Sequence, residues 1–570
     1  MRSGVFHPVM DSEELLGRLS GHKCNLFQWI TFLKLGLVYL RGAWPVLGII
    51  FLGANPGFEC SLPDNTNDTK YYKDGECSIV IEQSGRNVTE KCTYGIRYGN
   101  SVESTILTEF NLVCDNDYLV DLSTTIYMIG SALGAVLMTP LSDKFGRKKV
   151  LLGSLWAQGV VGVGVVFVQS YVAFVILRFA VAFLNMAIAL IAYVMVTELF
   201  TATKRTRPSV GINIFWSFGI VTLALFGYLV RNWRHLQLLI SLPNFLTILF
   251  IWFLPESMHW LVTNGRWKSL QRTVEAAARA NGVAVPQDVI EELQKRYQQE
   301  KRIQASSMGT GNSEHSFQME VVAGKDRIET KVVKMEPKPV VILDLFRTPK
   351  IRKYTIVMFY LWFVISLAYF GILFSTPTLH GDMFLNLAIS GAVEIPACLV
   401  CMRVLERTGR RKPLVCFLLL CGVMNIIPVF IPTETASGIS LQPMIITLAM
   451  IGKFGITCAY STVYLMSAEI FPTAVRNQAV GLSSFFENSG SISAPFIVYG
   501  AKNMAAMPLV IFGSLTVIGG LLALLLPETQ DRALPETVPD INPGPLDRAP
   551  EALESGDRHT VSQETMSTAL

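Results

Sequence analysis

Four ionisable residues stand in stretches that exclude water. Arg41 lies in "WITFLKLGLVYLRGAWPVLGIIFLG", Glu394 in "ISGAVEIPAC", Lys453 in "IGKFGITCAY" and Glu487 in "VGLSSFFENSGSISAPF". A charge buried alone in an apolar phase costs several kcal/mol, so each must find a counter-charge, a polar network or a charged ligand. The chemistry open to such a set is ion recognition rather than bond making. Lys453 is the expected partner of Glu394, which leaves Arg41 and Glu487 as a second pair. That pair would suit a molecule carrying both charges. Lys34, seven residues before Arg41 on the same helical face, is close enough to an end to reach water.

Aromatic residues share these stretches. Trp362 and Tyr369 are seven apart, Tyr460 and Tyr464 four apart, and Trp216 follows Asn213 by three, so each set shares a helical face. Such a face can pack, meet lipid or line a cavity, and the spacing alone does not choose. Where it lines a cavity, each ring can hold a quaternary ammonium by cation–π attraction of roughly 0.5–2 kcal/mol.

The elements that carry these residues are membrane helices. The chain has 570 residues, 51% hydrophobic and 16% charged, with a mean hydropathy of +0.41. Apolar runs long enough to cross a hydrocarbon core of about 30 Å recur about twelve times. They lie near residues 29–53, 119–139, 150–168, 171–196, 209–229 and 236–254, then 353–375, 383–403, 414–431, 444–466, 478–500 and 507–526. Basic residues follow spans 2, 4 and 8, including Lys144, Arg147, Lys148, Lys204, Arg207, Arg407 and Arg411. The connections after spans 3 and 9 carry none. By the positive-inside rule, the basic loops and both termini are expected in the cytoplasm. The net charge of +4 is thus topological and gives no reason to invoke nucleic acid.

The boundaries follow: a cytoplasmic N-terminus (1–28), a first six-span half (29–254), a cytoplasmic loop with short helices (255–352), a second half (353–526) and a disordered cytoplasmic tail (527–570). The polar connection 54–118 within the first half holds Cys60, Cys77, Cys92 and Cys114 and the glycosylation sequons at Asn67 and Asn87. Outside the cell these cysteines are expected to form two disulfides, with three pairings open. Cys398 and Cys401, spaced C-x-x-C on a span, read as small packing residues. In the 255–352 loop, Gly282 should end one amphipathic helix and Pro286 start another, followed by a flexible polar run from Gln304 that offers Ser and Thr for phosphorylation.

One turn occurs twice. "LSDKFGRKKVL" follows span 2 and "VLERTGRRKPL" follows span 8, so Glu406, Gly409 and Arg410 repeat Asp143, Gly146 and Arg147. Two parallel six-span repeats explain the echo. The glycine allows a tight turn, the bases anchor to anionic headgroups, and the acid can pair, so the turns are candidate conformational gates.

Together with "LPESMHWLVTNGR", "AEIFPTAVRN", "LPETQDRALPETVPD" and "YGIRYGNSVESTILTEFNLVCD", these turns resemble the organic cation, organic anion and carnitine transporter family of the major facilitator superfamily. The resemblance implies an all-α polytopic membrane protein with the major facilitator fold, twelve transmembrane helices in two six-helix halves. It implies a plasma-membrane transporter working by alternating access, with a small organic ion and membrane lipid as partners, a second copy of the chain as a further candidate, and no cofactor. In that family, positions matching Trp216, Trp362, Tyr369, Glu394, Tyr460 and Tyr464 line or border the central cavity, and Arg178 matches a family arginine. A span-11 position that is aspartate in cation transporters and arginine in anion and carnitine transporters is Asn488 here, beside Glu487. Thr139 and Met402 replace the glycine that usually opens the repeated turn. The substrate expected is a small organic cation or zwitterion such as a carnitine-like compound, ahead of an organic anion; a non-transporting receptor or chaperone of the same fold is the alternative from another class. No metal cluster, nucleophile–base set or nucleotide loop supports an enzyme.

Overall fold

The structure is a computed structural model of this chain. It describes residues 8–19, 25–62, 69–73, 77–83, 86–92, 94–99, 104–201, 204, 206–249, 253–309, 317–324, 327–334, 345–346, 348–376, 381–432, 434, 440–471, 476–500 and 507–530. Asn67, Arg205 and the tail from 531 lie outside them.

Each half contributes six spans. Span 1 is Leu26–Leu47 continued by Ile49–Leu52, span 2 Tyr118–Phe145, span 3 Arg147–Gly164 with a 3-10 turn Val165–Phe167, span 4 Tyr171–Glu198 and span 5 Thr206–Leu229. Span 6 is broken into Trp233–Ser241, Pro243–Leu246 and Thr247–Leu249. In the second half, span 7 is Pro349–Ser375, span 8 Met383–Thr408, span 9 Arg411–Ile426 with Ile427–Phe430, span 10 Gln442–Ile470, span 11 Arg476–Gly500 and span 12 Met507–Ala523. Nine of these helices are long and apolar enough, among the described residues, to cross a membrane on composition alone. The other three have local reasons for falling short. Pro243 interrupts span 6, "ENSGSIS" dilutes span 11, and span 12 has only 17 residues.

Helix ends differ from the sequence reading at the turns. Span 2 continues to Phe145 and span 8 to Thr408, so most of each repeated motif is a last helical turn. The chain reverses at Gly146 (φ 107°) and Gly409 (φ 90°), a backbone region that a side chain disfavours.

Spans 2 and 4, 7 and 11, and 9 and 12 pack extensively within each half. The halves meet along spans 5 and 8 and along spans 2 and 11. At Gly391 of span 8 a Cβ would stand 2.9 Å from Ile220 of span 5, so glycine sets how closely the halves approach.

The connection 54–118 is folded. β1 (Phe58–Cys60) pairs antiparallel with β5 (Ile96–Tyr98), and β2 (Thr69–Lys73), β3 (Ser78–Gln83) and β4 (Arg86–Lys91) form an antiparallel sheet. Cys60 bonds Cys92 and Cys77 bonds Cys114, one of the three pairings the sequence allows. Trp233 Nε1 donates to Glu109 at 2.7 Å, and the Arg234 guanidinium reaches Glu109 and the carbonyls of Val166 and Val168. Burial alone would raise the Glu109 carboxyl, but the bonds from Arg234 and Trp233 hold it below the usual carboxylate range. The loop is thereby fastened to the mouth of the first half.

At the opposite, basic end, helices Pro8–Leu19, Met258–Thr263, Trp267–Asn281 and Gln287–Gly309 share a small core of Leu16, Leu19, Leu261, Leu270, Val274 and Leu293. Gly282 ends its helix in the left-handed region, as expected. The run from Gln304 differs from expectation. It is helical to Gly309, residues 310–316 lie outside the described set, and β6 (Phe317–Gly324) then pairs with β7 (Arg327–Lys334).

Candidate functional site

Where spans 5, 7, 8 and 10 converge, a polar knot crosses the boundary between halves. The Tyr369 hydroxyl donates to Glu394 Oε1 at 2.8 Å and accepts from Trp216 Nε1 at 2.9 Å. Ser217 donates to Glu394 Oε2 at 3.2 Å. Lys453 Nζ is 2.9 Å from Glu394 Oε1 and 3.5 Å from the centre of the Tyr369 ring. The expected Glu394–Lys453 pair is therefore formed. It is deeply buried, with Lys453 0% and Glu394 1% exposed.

Glu487 is placed differently. The Tyr460 and Tyr464 hydroxyls both donate to its Oε1, the latter at 2.8 Å. No Lys or Arg among the described residues pairs with it. The ring centres of Tyr369 and Tyr460 are 5.2 Å apart, and those of Tyr460 and Tyr464 5.6 Å, so one aromatic wall links the two carboxylates. Tyr193 of span 4 approaches Tyr464 (6.2 Å), and Tyr39 of span 1 approaches Trp216 (6.1 Å). Trp362 stands behind the wall, 1% exposed, edge-on to Tyr464 at 4.4 Å and bonded to Ser467. It supports the wall rather than lining it. Asn488 returns its amide to the Ser484 carbonyl one turn back.

The structure does not bring Arg41 to Glu487. Arg41 Nη1 donates to Gln158 Oε1 at 2.6 Å, Gln158 donates to Asn185 Oδ1 at 3.0 Å, and Asn185 donates to the Gly42 carbonyl at 3.1 Å. The reason is helical rotation. Tyr39 faces the centre, and two residues later Arg41 points about 200° around the helix, toward spans 3 and 4. Arg178, also buried in this half, donates to the Pro45 carbonyl at 3.2 Å and covers the Tyr127 ring. Lys34 reaches the Phe253 carbonyl at 2.8 Å.

The repeated turns form repeated networks. Arg147 bonds Asp143 (3.1 Å) and Glu198 (2.6 Å), the last residue of span 4. Ser257 donates to the same Glu198, and Glu256 accepts from the Lys148 backbone N–H at 3.0 Å. In the second half Arg410 bonds Glu469, Thr529 donates to Glu469, and Glu528 accepts from the N–H groups of Arg410 and Arg411 at 2.8 and 3.2 Å. Burial pushes the Glu528 carboxyl up, but four backbone N–H donors outweigh it and hold the group low. A Cβ on Gly146 or Gly409 would sit 2.7 or 2.6 Å from the carboxylate that clamps that turn. The two copies part at their acids. Asp143 pairs inside its own turn, whereas Glu406 reaches Arg207 of the other half at 2.7 Å.

Sequence reasoning missed Ser217, Tyr39 and Tyr193 at the centre and Glu198, Glu256, Ser257, Glu469, Glu528 and Thr529 at the turns. A signal existed for the latter. "PES" and "PET" each follow a sixth span, and "TELF" and "AEIF" each end a fourth.

Comparison with known proteins agrees with this geometry. The family model of the Major Facilitator Superfamily matches residues 105–495 and 385–553. An organic cation transporter-like protein of Drosophila melanogaster is 33% identical over 537 residues, covering 90% of each chain. The human organic cation/carnitine transporter 2 is 31% identical over 546 residues, covering 90% of this chain and 91% of that protein. Among solved structures, the inward-open xylose transporter XylE from E. coli superposes with a TM-score of 0.58 at 13% identity, covering 89% of this chain and 97% of that one.

Proposed function

Because the chain belongs to the major facilitator superfamily, and within it to the organic cation and carnitine transporters of solute carrier family 22, we infer that it carries small organic cations or zwitterions across the plasma membrane. It is a membrane transporter, and its halves alternate access to a site between them. The observation that carries the substrate class is Glu487. Its carboxylate is 6% exposed, held by two tyrosine hydroxyls, walled by aromatic rings and unmatched by any basic side chain among the described residues. A substrate ammonium supplies the missing charge and stacks on the same rings. An organic anion would face Glu487 with Lys453 already committed to Glu394.

In this reading the basic loops and both termini are cytoplasmic. The disulfide-bonded loop is extracellular, with Asn87, exposed on β4, carrying a glycan. The turns at Gly146 and Gly409 hold helix ends together between transport steps.

Uptake into proteoliposomes tests the proposal, with tetraethylammonium, carnitine and an aromatic carboxylate offered with and without Na⁺ and pH gradients. Saturable uptake of the first or second, resistant to the carboxylate, is expected. Uptake of the carboxylate that neither tetraethylammonium nor carnitine competes for would overturn it.

A further inference from the structure

Spans 1 to 6 carry no Asp or Glu between their end turns, yet Arg41 and Arg178 are buried among them. Arg41 is 5% and Arg178 1% exposed, and no carboxylate among the described residues pairs with either. A guanidinium does not shed its proton, so both stay charged. Their polar neighbours, Gln158, Asn185 and the Gly42 and Pro45 carbonyls, are neutral. Arg41 Nε and Nη2 and Arg178 Nε and Nη2 find no acceptor, and the Tyr127 hydroxyl meets only the neutral Asn185 amide.

These groups lie together. Arg178 bonds the Pro45 carbonyl, one helical turn beyond Arg41 on span 1, and its guanidinium carbon stands 4.6 Å from the centre of the Tyr127 ring. Tyr127, 0% exposed, is within electrostatic reach of both arginines. Two cations and a phenol, none more than 5% exposed, are thus enclosed without a counter-charge among the described residues.

We propose that Arg41, Arg178 and Tyr127 bind a small inorganic anion inside the first half, at a site separate from the central carboxylates. The enclosure sets the size. At Gly130 a Cβ would stand 2.6 Å from the Phe179 carbonyl and 3.2 Å from Ala182, so spans 2 and 4 are in backbone contact beside the site. So close an approach leaves no room for an organic carboxylate, and the anion of the proposal is therefore a halide. The anion offsets one of the two buried positive charges, and Gln158 and Asn185 orient the Arg41 guanidinium that holds it.

The test uses the full chain purified in lipid nanodiscs and reads thermal unfolding, with no transport assay involved. Chloride replaces gluconate at constant ionic strength. The midpoint is expected to rise by a few degrees and to saturate, as mass action on a native-state site requires. Arg41→Gln and Arg178→Gln should each remove the chloride dependence, and either can be more stable than the parent in gluconate because an unmatched charge is gone. Tyr127→Phe keeps both charges and the packing and should raise the half-saturating chloride by roughly 3–10-fold. If an arginine variant does not fold, Tyr127→Phe and the wild-type titration still decide. Identical melting in chloride and gluconate would overturn the site and point to water alone. So would a chloride shift unchanged in all the variants that fold.

Discussion

At the scale of single residues, the two central carboxylates have opposite tasks. Glu394 is matched by Lys453, so Glu394→Gln leaves a buried ammonium unpaired. A loss of about 3–5 kcal/mol of stability is expected, seen as failed surface delivery. Glu394→Gln with Lys453→Met should restore delivery; a double variant no better than the single would show that the pair does not act as a unit. Glu487→Gln removes a charge that no protein cation needs. It should fold normally but bind tetraethylammonium about 10–100-fold more weakly, since bonds to charged groups contribute about 1.5–3 kcal/mol. Unchanged affinity would place the cation elsewhere. The Glu394–Lys453 pair was legible because each charge lies mid-span, away from the ionisable residues at the span ends. Arg41 was assigned to Glu487 by the same logic and the logic failed there. Its real neighbours, Gln158 and Asn185, are neutral, and a list of charges does not reveal which way a helix face turns.

At the scale of elements, each repeated turn is a clamp on the start of the next helix. Glu528 caps the N–H groups of Arg410 and Arg411, and its carboxyl is held low by those bonds. A depressed carboxylate stabilises the fold above its unfolded pKa of about 4.3, and that contribution disappears as pH falls through the lower folded value. Glu528→Gln should therefore melt below wild type at neutral pH, with the gap closing below about pH 4. A constant gap across pH would show that the charge is irrelevant. For the first copy, Arg147→Ala releases Glu198 and should slow maximal transport while half-saturation barely moves, because the network bonds to none of the residues of the aromatic wall. A rise in half-saturation with unchanged maximal rate would contradict this. Most spans were readable from apolar length alone, and the glycine turns from their repetition. The break in span 6 and the five short strands near the cysteines were not. Those strands are polar and brief, held by disulfides whose pairing no spacing specifies.

At the scale of the whole molecule, the contacts between halves are unequal at the two ends. At the end bearing the cysteine loop, Phe51 stacks on Phe384 at 5.0 Å, Tyr228 meets Phe384 edge-on at 5.9 Å, and the Tyr499 hydroxyl donates to Asp117 at 2.9 Å. At the basic end Arg207 and Glu406 pair, but the arginine side chain is 70% exposed. An aromatic pair contributes about 0.5–1.5 kcal/mol beyond its buried area, whereas an exposed ion pair gives about 0–1 kcal/mol. Closure at the loop end should therefore dominate the resting equilibrium, and removing it should shift the population toward the state open on that side. Labelling of Asn213→Cys, which faces Ser461 between the halves, by a membrane-impermeant maleimide added outside cells reports that state. Adding Phe384→Ala and Tyr499→Phe should speed labelling about 3–30-fold, the range spanned by about 0.7–2 kcal/mol. Arg207→Gln should leave the rate within about twofold and, if anything, lower it, since loosening the basic end favours the opposite opening. A marked fall in labelling with Arg207→Gln, together with unchanged labelling in the aromatic variants, would reverse the assignment, making the Arg207–Glu406 pair the dominant closure and the loop-end aromatics mere packing.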